Sequence, residues 1–527
     1  MRKQLPEAAD QSIFSALSHA RAALVAVVVA SRMTGANLTP AVASTAPPTR
    51  VERSFDPVTL DRFIAAQTAR HCIPGMALAT TRGDQIVHIR GYGEAPDRVL
   101  VTGQTQFRIA SLSKSFTALA VMQLVEGGHI ALDAPISRYL PNFALANPLA
   151  AALITVHQLL HHTSGLADLG FVNRLDGWQL TLANRVAALH AAHPASAPGA
   201  AFHYFDPNYQ LLARLVEVVS GQPFDVYLRE HVLTPLAMRD TLSAMTSALP
   251  NRPTHQLAQG HIMAYGVPVA LPELLGFLGG SGGVVSTAAD PAHHLIAQNN
   301  HGMYAGRSVL SAMGVSRMQT PPMGVVSSYA MGWVVSNVHG TPTLEHNGVL
   351  STFYADAVLL PESGYGFVLL YNANALTAST MAFAEMKNGV VALLMGRVPV
   401  SRMVTLPWLG VCLTAFSVMI VGLAIWNLMR LAQWKLRAVN ASGWKFVWSA
   451  LWPLTPALLL MELPRLLALQ SGRYFAHMML ARAMPEVIIL LAICAALGLV
   501  APGIKIKAIL CANEQTQRSS TPFNDVV

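Results

Sequence analysis

Ser111 and Lys114 stand three residues apart in Phe107-Arg-Ile-Ala-Ser111-Leu-Ser-Lys114-Ser-Phe-Thr-Ala-Leu-Ala-Val-Met-Gln-Leu124. Three residues is one helical turn, so a hydroxyl and an amine at this spacing share one helix face. At the start of the apolar helical pattern Ser111 meets free backbone N–H groups and the positive end of the helix dipole. Both favour the negative charge that develops when a hydroxyl attacks a carbonyl. Lys114 is the candidate proton acceptor. An ammonium cannot take a proton, so this role requires the neutral amine, which desolvation among Phe116, Leu119 and their apolar neighbours favours by lowering the lysine pKa. Two later segments offer further groups. Phe202-His-Tyr204-Phe-Asp206-Pro-Asn208 places a phenol and a carboxylate before an apolar helix, and Leu344-Glu-His346-Asn-Gly348-Val349 sits before a strand.

The elements that must position these groups read as a mixed α/β unit over residues 55–397. Asp56 is an N-cap candidate for a helix, and Gly75 to Thr81 with Gln85 to Gly91 reads as a hairpin closed by Arg82-Gly-Asp84. The stretches Tyr329 to Ser336, Thr352 to Pro361 and Tyr365 to Asn374 are strand-like, with Pro361-Glu-Ser-Gly364 as a turn. Strands at both ends and helices between predict one sheet assembled from distant parts of the chain, an α+β fold.

The 527 residues exceed one compact core, and only 12% are charged while 53% are hydrophobic. The formal charge of +8 does not point to nucleic acid, because the Lys and Arg flank apolar stretches instead of forming runs interleaved with aromatics. Four cysteines, Cys72, Cys412, Cys494 and Cys511, offer neither a disulfide framework nor a metal knuckle. Residues 1–46 read as a secretory leader, with Arg2 and Lys3 ahead of the short apolar run Ala22 to Ala30 and cleavage after Ala30 or Ala43. Met403 to Met429, Phe446 to Met461 and Val487 to Ile504 read as three transmembrane helices within 403–504, and 505–527 as a cytoplasmic tail. Arg430, Lys435, Arg437, Lys445, Lys505 and Lys507 flank them on one side, which places residues 55–397 outside the membrane, periplasmic or extracellular. A lipid bilayer is thus an expected partner and nucleic acid is not.

Taken together the motifs resemble the serine β-lactamase and penicillin-binding-protein superfamily, in its class C-like, D-alanyl-D-alanine carboxypeptidase and esterase branch. Ser111-Leu-Ser-Lys114 looks like its S-x-x-K, Tyr204-Phe-Asp206 like its Y-x-N, and His346-Asn-Gly348 like the H-x-G that replaces K-T-G in many members. Leu159-Leu-His-His-Thr-Ser-Gly-Leu166 and Gly282 to Asp290 resemble two framework segments of the same branch. The resemblance covers roughly residues 55–395. It implies a β-lactamase/transpeptidase-like antiparallel sheet flanked by helices, with a helical subdomain, and a Ser111 acyl-enzyme formed from an amide or ester of a small molecule or peptide. It also implies proton exchange by Lys114 and Tyr204, either of them being the acylation base, and an oxyanion hole from the N–H groups of Ser111 and Val349. His346, Gly348 and Asp206 would line the substrate, and neither a metal nor an organic cofactor is called for.

Asp206 departs from that pattern, which has Asn. A carboxylate here keeps Lys114 charged more readily, repels acidic substrates and suits a cationic or amine-bearing one. The neighbouring Asn208 offers an amide in partial replacement. A serine domain followed by three membrane helices also resembles the membrane-bound D-amino peptidases that mature natural-product precursors. A non-catalytic β-lactam or cell-wall sensor is the rival from another class. Gly279-Gly-Ser281-Gly-Gly283 satisfies the nucleophile-elbow pattern G-x-S-x-G but precedes a strand, so it reads as a flexible turn beside the substrate. His161-His162 lacks ligand-spaced partners and reads as framework.

Overall fold

The computed structural model describes residues 55–94, 99–171, 181–247, 257–431, 451–500 and 503, all within one compact unit that begins at Ser54. The leader and the 505–527 tail lie outside these residues, as do the loop lysines and Arg437 read as cytoplasmic.

Helix α1, Pro57–Arg70, starts where Asp56 caps the backbone N–H groups of Val58 and Thr59, as its sequence predicts. Strands β1, Gly75–Arg82, and β2, Gln85–Gly93, then form the hairpin, with Gly83 in the left-handed region at φ 59°. Helix α2, Ser113–Glu126, is buried on nearly every side, which its continuous apolar character requires. After the short helix α3, Val156–Leu160, come α4, Asp206–Ser220, which ends on a left-handed Gly221, and α5, Ala289–Asn299. Four strands follow: β3, Val334–Val338; β4, Thr341–Val349; β5, Tyr354–Leu360; and β6, Tyr365–Tyr371. Helix α6 spans Ala384–Leu394.

The six strands make one antiparallel sheet in the order β3-β4-β5-β6-β1-β2, so the last strand pairs with the first, Met76 opposite Tyr371. This is the predicted α+β sheet built from both ends of the unit. Period-two alternation splits its side chains between two cores. Ala77, Ala79, Ala355, Ala357, Val368 and Leu370 face α2, α4 and α5, whereas Met76, Leu78, Val358, Phe367 and Leu369 face α1 and α6. One strand reading is corrected: the strand begins at Val334, not Tyr329. Ala330 to Trp333 instead form a turn whose Gly332, at φ 79°, presses on the backbone of Lys114 and Ser115.

The three expected membrane spans are also corrected. Among the described residues only α7, Leu406–Leu431, contains a stretch long and apolar enough to cross a bilayer, Leu406–Met429. The second expected span begins outside the described residues and continues as α8, Thr455–Ser471, which carries Pro464 within it and Glu462 and Arg465 on its surface. Helices α9, His477–Ala483, and α10, Pro485–Val500, meet at 118° and would count together as one bent span. The third expected span begins within α10, which does not count as a span by itself.

Candidate active site

Ser111 lies in a short 3-10 turn, Ala110–Leu112, that leads directly into α2. Ala110 just before it takes φ 48°, a conformation costly for a residue with a Cβ and held here by its surroundings. Strand β4 supplies part of that hold. A Cβ on Gly348 would stand 2.1 Å from the carbonyl oxygen of Ile109, so only glycine lets the strand pass this close to the serine turn. Val349 follows at the strand end, partly exposed beside the same turn.

Lys114 is fully buried, and its Nζ donates to Ser111 Oγ at 3.0 Å, to Asp206 Oδ1 at 2.7 Å and to the carbonyl oxygen of Ser281 at 2.7 Å. All three ammonium donors are therefore used. Burial alone would push the ammonium to release its proton, as the sequence suggests, but the Asp206 carboxylate, with Tyr204 adding to it, holds the lysine pKa above its ordinary value. The expected lowering is overturned by Asp206, the departure that the sequence had marked as favouring the charged form. Burial opposes the Asp206 charge in turn, yet Lys114 and Arg473 keep its carboxyl well below the usual range. Its place in the first turn of α4 works in the same direction.

Tyr204 sits between these charges and an aromatic wall. Lys114 Nζ is 4.9 Å from its ring centre, and the His162 ring lies against it at 4.4 Å. His162 accepts hydrogen bonds at Nδ1 from the backbone N–H of Phe205 (3.2 Å) and from Asn208 Nδ2 (3.1 Å). Burial, with Lys114 nearby, keeps it neutral. His162 thus positions the Tyr204 turn, a role hidden in a segment legible only as framework. Asn208 is wholly buried between His162 and Ser164 and does not stand in for the missing amide of Asp206.

On β4, His346 shares the site-facing side with Leu344. Its Nδ1 meets the carbonyl oxygen of Asn347 at 2.6 Å and its Nε2 the Tyr329 hydroxyl at 3.2 Å, while burial and Lys114 push its pKa down to about 4. Ser281 of the glycine segment is buried, and its role is to offer a carbonyl to Lys114. Gly280 and Gly283 beside it are demanded by packing: a Cβ would come within 2.4 Å of Ala213 at Gly280 and 1.9 Å of the Ala244 carbonyl at Gly283.

The sequence missed Arg473 and Asp168. Arg473, in the turn between α8 and α9, donates through Nη2 to Asp206 Oδ2 at 2.9 Å and through Nε to Asp168 Oδ2 at 3.0 Å. Its guanidinium lies 4.6 Å from the Tyr204 ring centre. Arg473 lies 267 residues from Asp206 and 305 from Asp168 in the chain, and no local spacing announces the contact. Among the described residues no three His, Cys, Asp or Glu side chains gather as a metal would need.

This geometry stands beside clear similarities to known proteins. Residues 60–385 match the family model described as Beta-lactamase. Penicillin-binding protein 4 of Amycolatopsis lactamdurans is 30% identical over 331 residues, covering 60% of this chain and 85% of that protein. Protein flp of Staphylococcus aureus is 25% identical over 318 residues, of which the chain spans 63% of that protein's length. The structure of the D-amino acid amidase from Ochrobactrum anthropi SV3 shares the fold, with TM-score 0.53 and 23% identity over 64% of this chain and 99% of that one.

Proposed function

Because the chain belongs to the Beta-lactamase family of serine hydrolases, we propose that it cleaves an amide or ester through an acyl-enzyme on Ser111. The observation that carries this reading is the 3.0 Å hydrogen bond between Ser111 Oγ and a lysine amine that is wholly buried. Ser111 Oγ attacks the substrate carbonyl, and its proton passes to whichever of Lys114 and Tyr204 has lost its own. The carbonyl oxygen, now anionic, is received by the backbone N–H groups of Ser111 and Val349, worth about 100- to 1000-fold in rate per donor. Collapse expels the amine or alcohol with a returned proton, and water then attacks the ester and releases the acid. His346 is neutral and braced by Tyr329, so it serves as a shaped wall and hydrogen-bonding edge, not as a fixed cation for a carboxylate.

The relatives' names, a penicillin-binding protein and a D-amino acid amidase, support amides of small molecules as the substrate class. Membrane attachment belongs to the same proposal. It is supported by α7, whose apolar side chains, Trp408, Val418 and Met419 among them, are exposed. Intact-mass spectrometry after exposure to a fluorophosphonate and, separately, a penicillin tests the chemistry. An adduct on Ser111, absent in Ser111→Ala and lost with time for the penicillin, is expected. A persistent penicillin adduct would favour a sensor, and no adduct in a folded protein would sink the hydrolase reading.

A further inference from the structure

The C-terminal helices reach into the site itself. Three side chains seat them on the catalytic unit: Arg473 on Asp168 and Asp206, Arg482 on the Pro272 carbonyl and Ser351 Oγ, and Glu486 accepting from the backbone N–H of Tyr265 at 2.7 Å. The Tyr474 N–H adds a second donor to Asp168 Oδ2 at 3.0 Å. The turn is therefore docked through named hydrogen bonds and aimed at the carboxylate that also holds Lys114.

We propose that Arg473 is a positioning residue of the acylation site: by sharing the Asp206 carboxylate with Lys114, it loosens that carboxylate's hold on the lysine and lets Lys114 serve Ser111 as the neutral amine. The proposal rests on the serine-hydrolase reading and makes the C-terminal region part of the enzyme, beyond any role as an anchor.

The charge balance argues for this. Asp206 divides its two oxygens between two cations, Oδ1 to Lys114 at 2.7 Å and Oδ2 to Arg473 at 2.9 Å. Without Arg473 the full carboxylate charge would fall on Lys114, and a nearby positive charge that opposes a second one would be gone. The other titratable groups facing Lys114 do not replace it. His162 beyond α3 and His346 on β4 are held neutral by burial, and Tyr209 on α4 is pushed above its ordinary range in its uncharged form. Tyr204 lies between both cations. Loss of Arg473 must therefore raise the lysine pKa, and each unit of rise cuts the neutral fraction about tenfold at a given pH.

The test is the rate of Ser111 phosphonylation by a fluorophosphonate in the full-length chain, followed by intact mass from about pH 6 to about pH 10. In that step the Ser111 Oγ–P bond forms, fluoride leaves and the hydroxyl proton passes to the Lys114 amine. Arg473→Gln is expected to move the rising limb of the profile up by about one pH unit and to slow labelling about tenfold at pH 7. Arg473→Lys, which keeps the charge, is expected to hold most of the wild-type profile. In an Asp206→Asn background Arg473→Gln is expected to move the limb clearly less, because the shared carboxylate is gone and only the direct repulsion between the two cations remains. An unmoved limb in Arg473→Gln or an equal shift in both backgrounds would each overturn the proposal. If Arg473→Gln does not fold by circular dichroism, a folded Arg473→Lys with a displaced limb would overturn it as well. Failure of the wild-type chain to label would instead remove the hydrolase reading on which it stands.

Discussion

The sheet carries a lysine–carboxylate pair on each of its faces, and of the two only Lys114–Asp206 sits beside a serine hydroxyl. On the site face Lys114 meets Asp206 at 2.7 Å, and on the opposite face Lys387 of α6 meets Glu345 of β4 at 3.0 Å. Both lysines are shielded from water, and burial opposes the charge of each. In both cases neighbouring carboxylates outweigh it and hold the ammonium form, Asp206 for Lys114 and Asp356 with Glu345 for Lys387. Burial and a shifted pKa do not by themselves distinguish a catalytic lysine from a structural one. What differs is the third partner. Lys114 has a partly exposed serine hydroxyl at the mouth of a helix, whereas Lys387 has the fully buried Asp356 behind its glutamate.

Truncating each lysine is the hardest test of that difference. Lys114→Met is expected to reduce Ser111 acylation by about 1000-fold or more, because it removes both a proton-transfer group and the donor that orients the hydroxyl. Lys387→Met is expected to leave the acylation rate within about twofold and to cost about 2 kcal/mol in denaturant-melt stability, as a buried pair losing one member does. Comparable losses of activity in both, at matched stability, would erase the distinction between the faces.

Strand β4 separates the two pairs, with His346 on one side and Glu345 on the other, so crowding its end should act on one face alone. Gly348→Ala puts a methyl group 2.1 Å from the Ile109 carbonyl and must displace either the strand or the serine turn. Acylation is expected to fall about 100-fold, since small misplacements of reacting groups cost that much. The Lys387–Glu345 pair should be untouched, read as an unchanged stability penalty for Lys387→Met in the Gly348→Ala background. A change in that penalty would mean that the faces are coupled through β4.

The site face was largely legible in the sequence because its chemistry is written in short motifs. Ser111 and Lys114 share one helical turn, and Tyr204, Asp206 and His346 stand at the edges of elements whose periodicity is plain. What stayed hidden depended on contacts across the chain. Tyr329 reads as a strand residue, but it lies before β3 and braces His346 from a turn. Ala110 gives no sign of its left-handed backbone, since alanine is not a residue that seeks φ 48°. Arg473 stands in no motif, and the docking of the α8–α9 turn is what brings it to Asp206. The apolar stretches announced membrane character, but among the described residues only Leu406–Met429 is long and apolar enough to cross a bilayer. Helix α8 carries Glu462 and Arg465 on its surface, and α10 counts only together with α9, at 118° to it. On the opposite face, Asp356 in the strand Tyr354–Leu360 gave no warning of a buried carboxyl among apolar neighbours.

Asp356 offers the finest probe of the contrast, because it acts on stability and not on the reaction. Burial raises its carboxyl pKa to about 7, against the opposing pull of Lys387, and one of its oxygens has no hydrogen-bond partner. A raised folded-state pKa means that the native protein keeps a proton that the unfolded chain has already lost. Between the ordinary carboxyl value of 3.8 and about 7 the folded state thus binds more protons, so this group's contribution to stability falls as pH rises through that window and is level above it. Asp356→Asn removes the ionisation while keeping the shape. The variant is expected to gain on the order of 2 kcal/mol over the wild type at pH 8 and little at pH 4, measured by urea melts at both. The pH profile of Ser111 acylation should not move, because Asp356 lies across the sheet from Lys114. A stability gain that is equal at the two pH values would show that Asp356 is already ionised against Lys387 in the folded protein. The two faces would then differ only in the serine hydroxyl beside one lysine and not in how they hold their carboxylates.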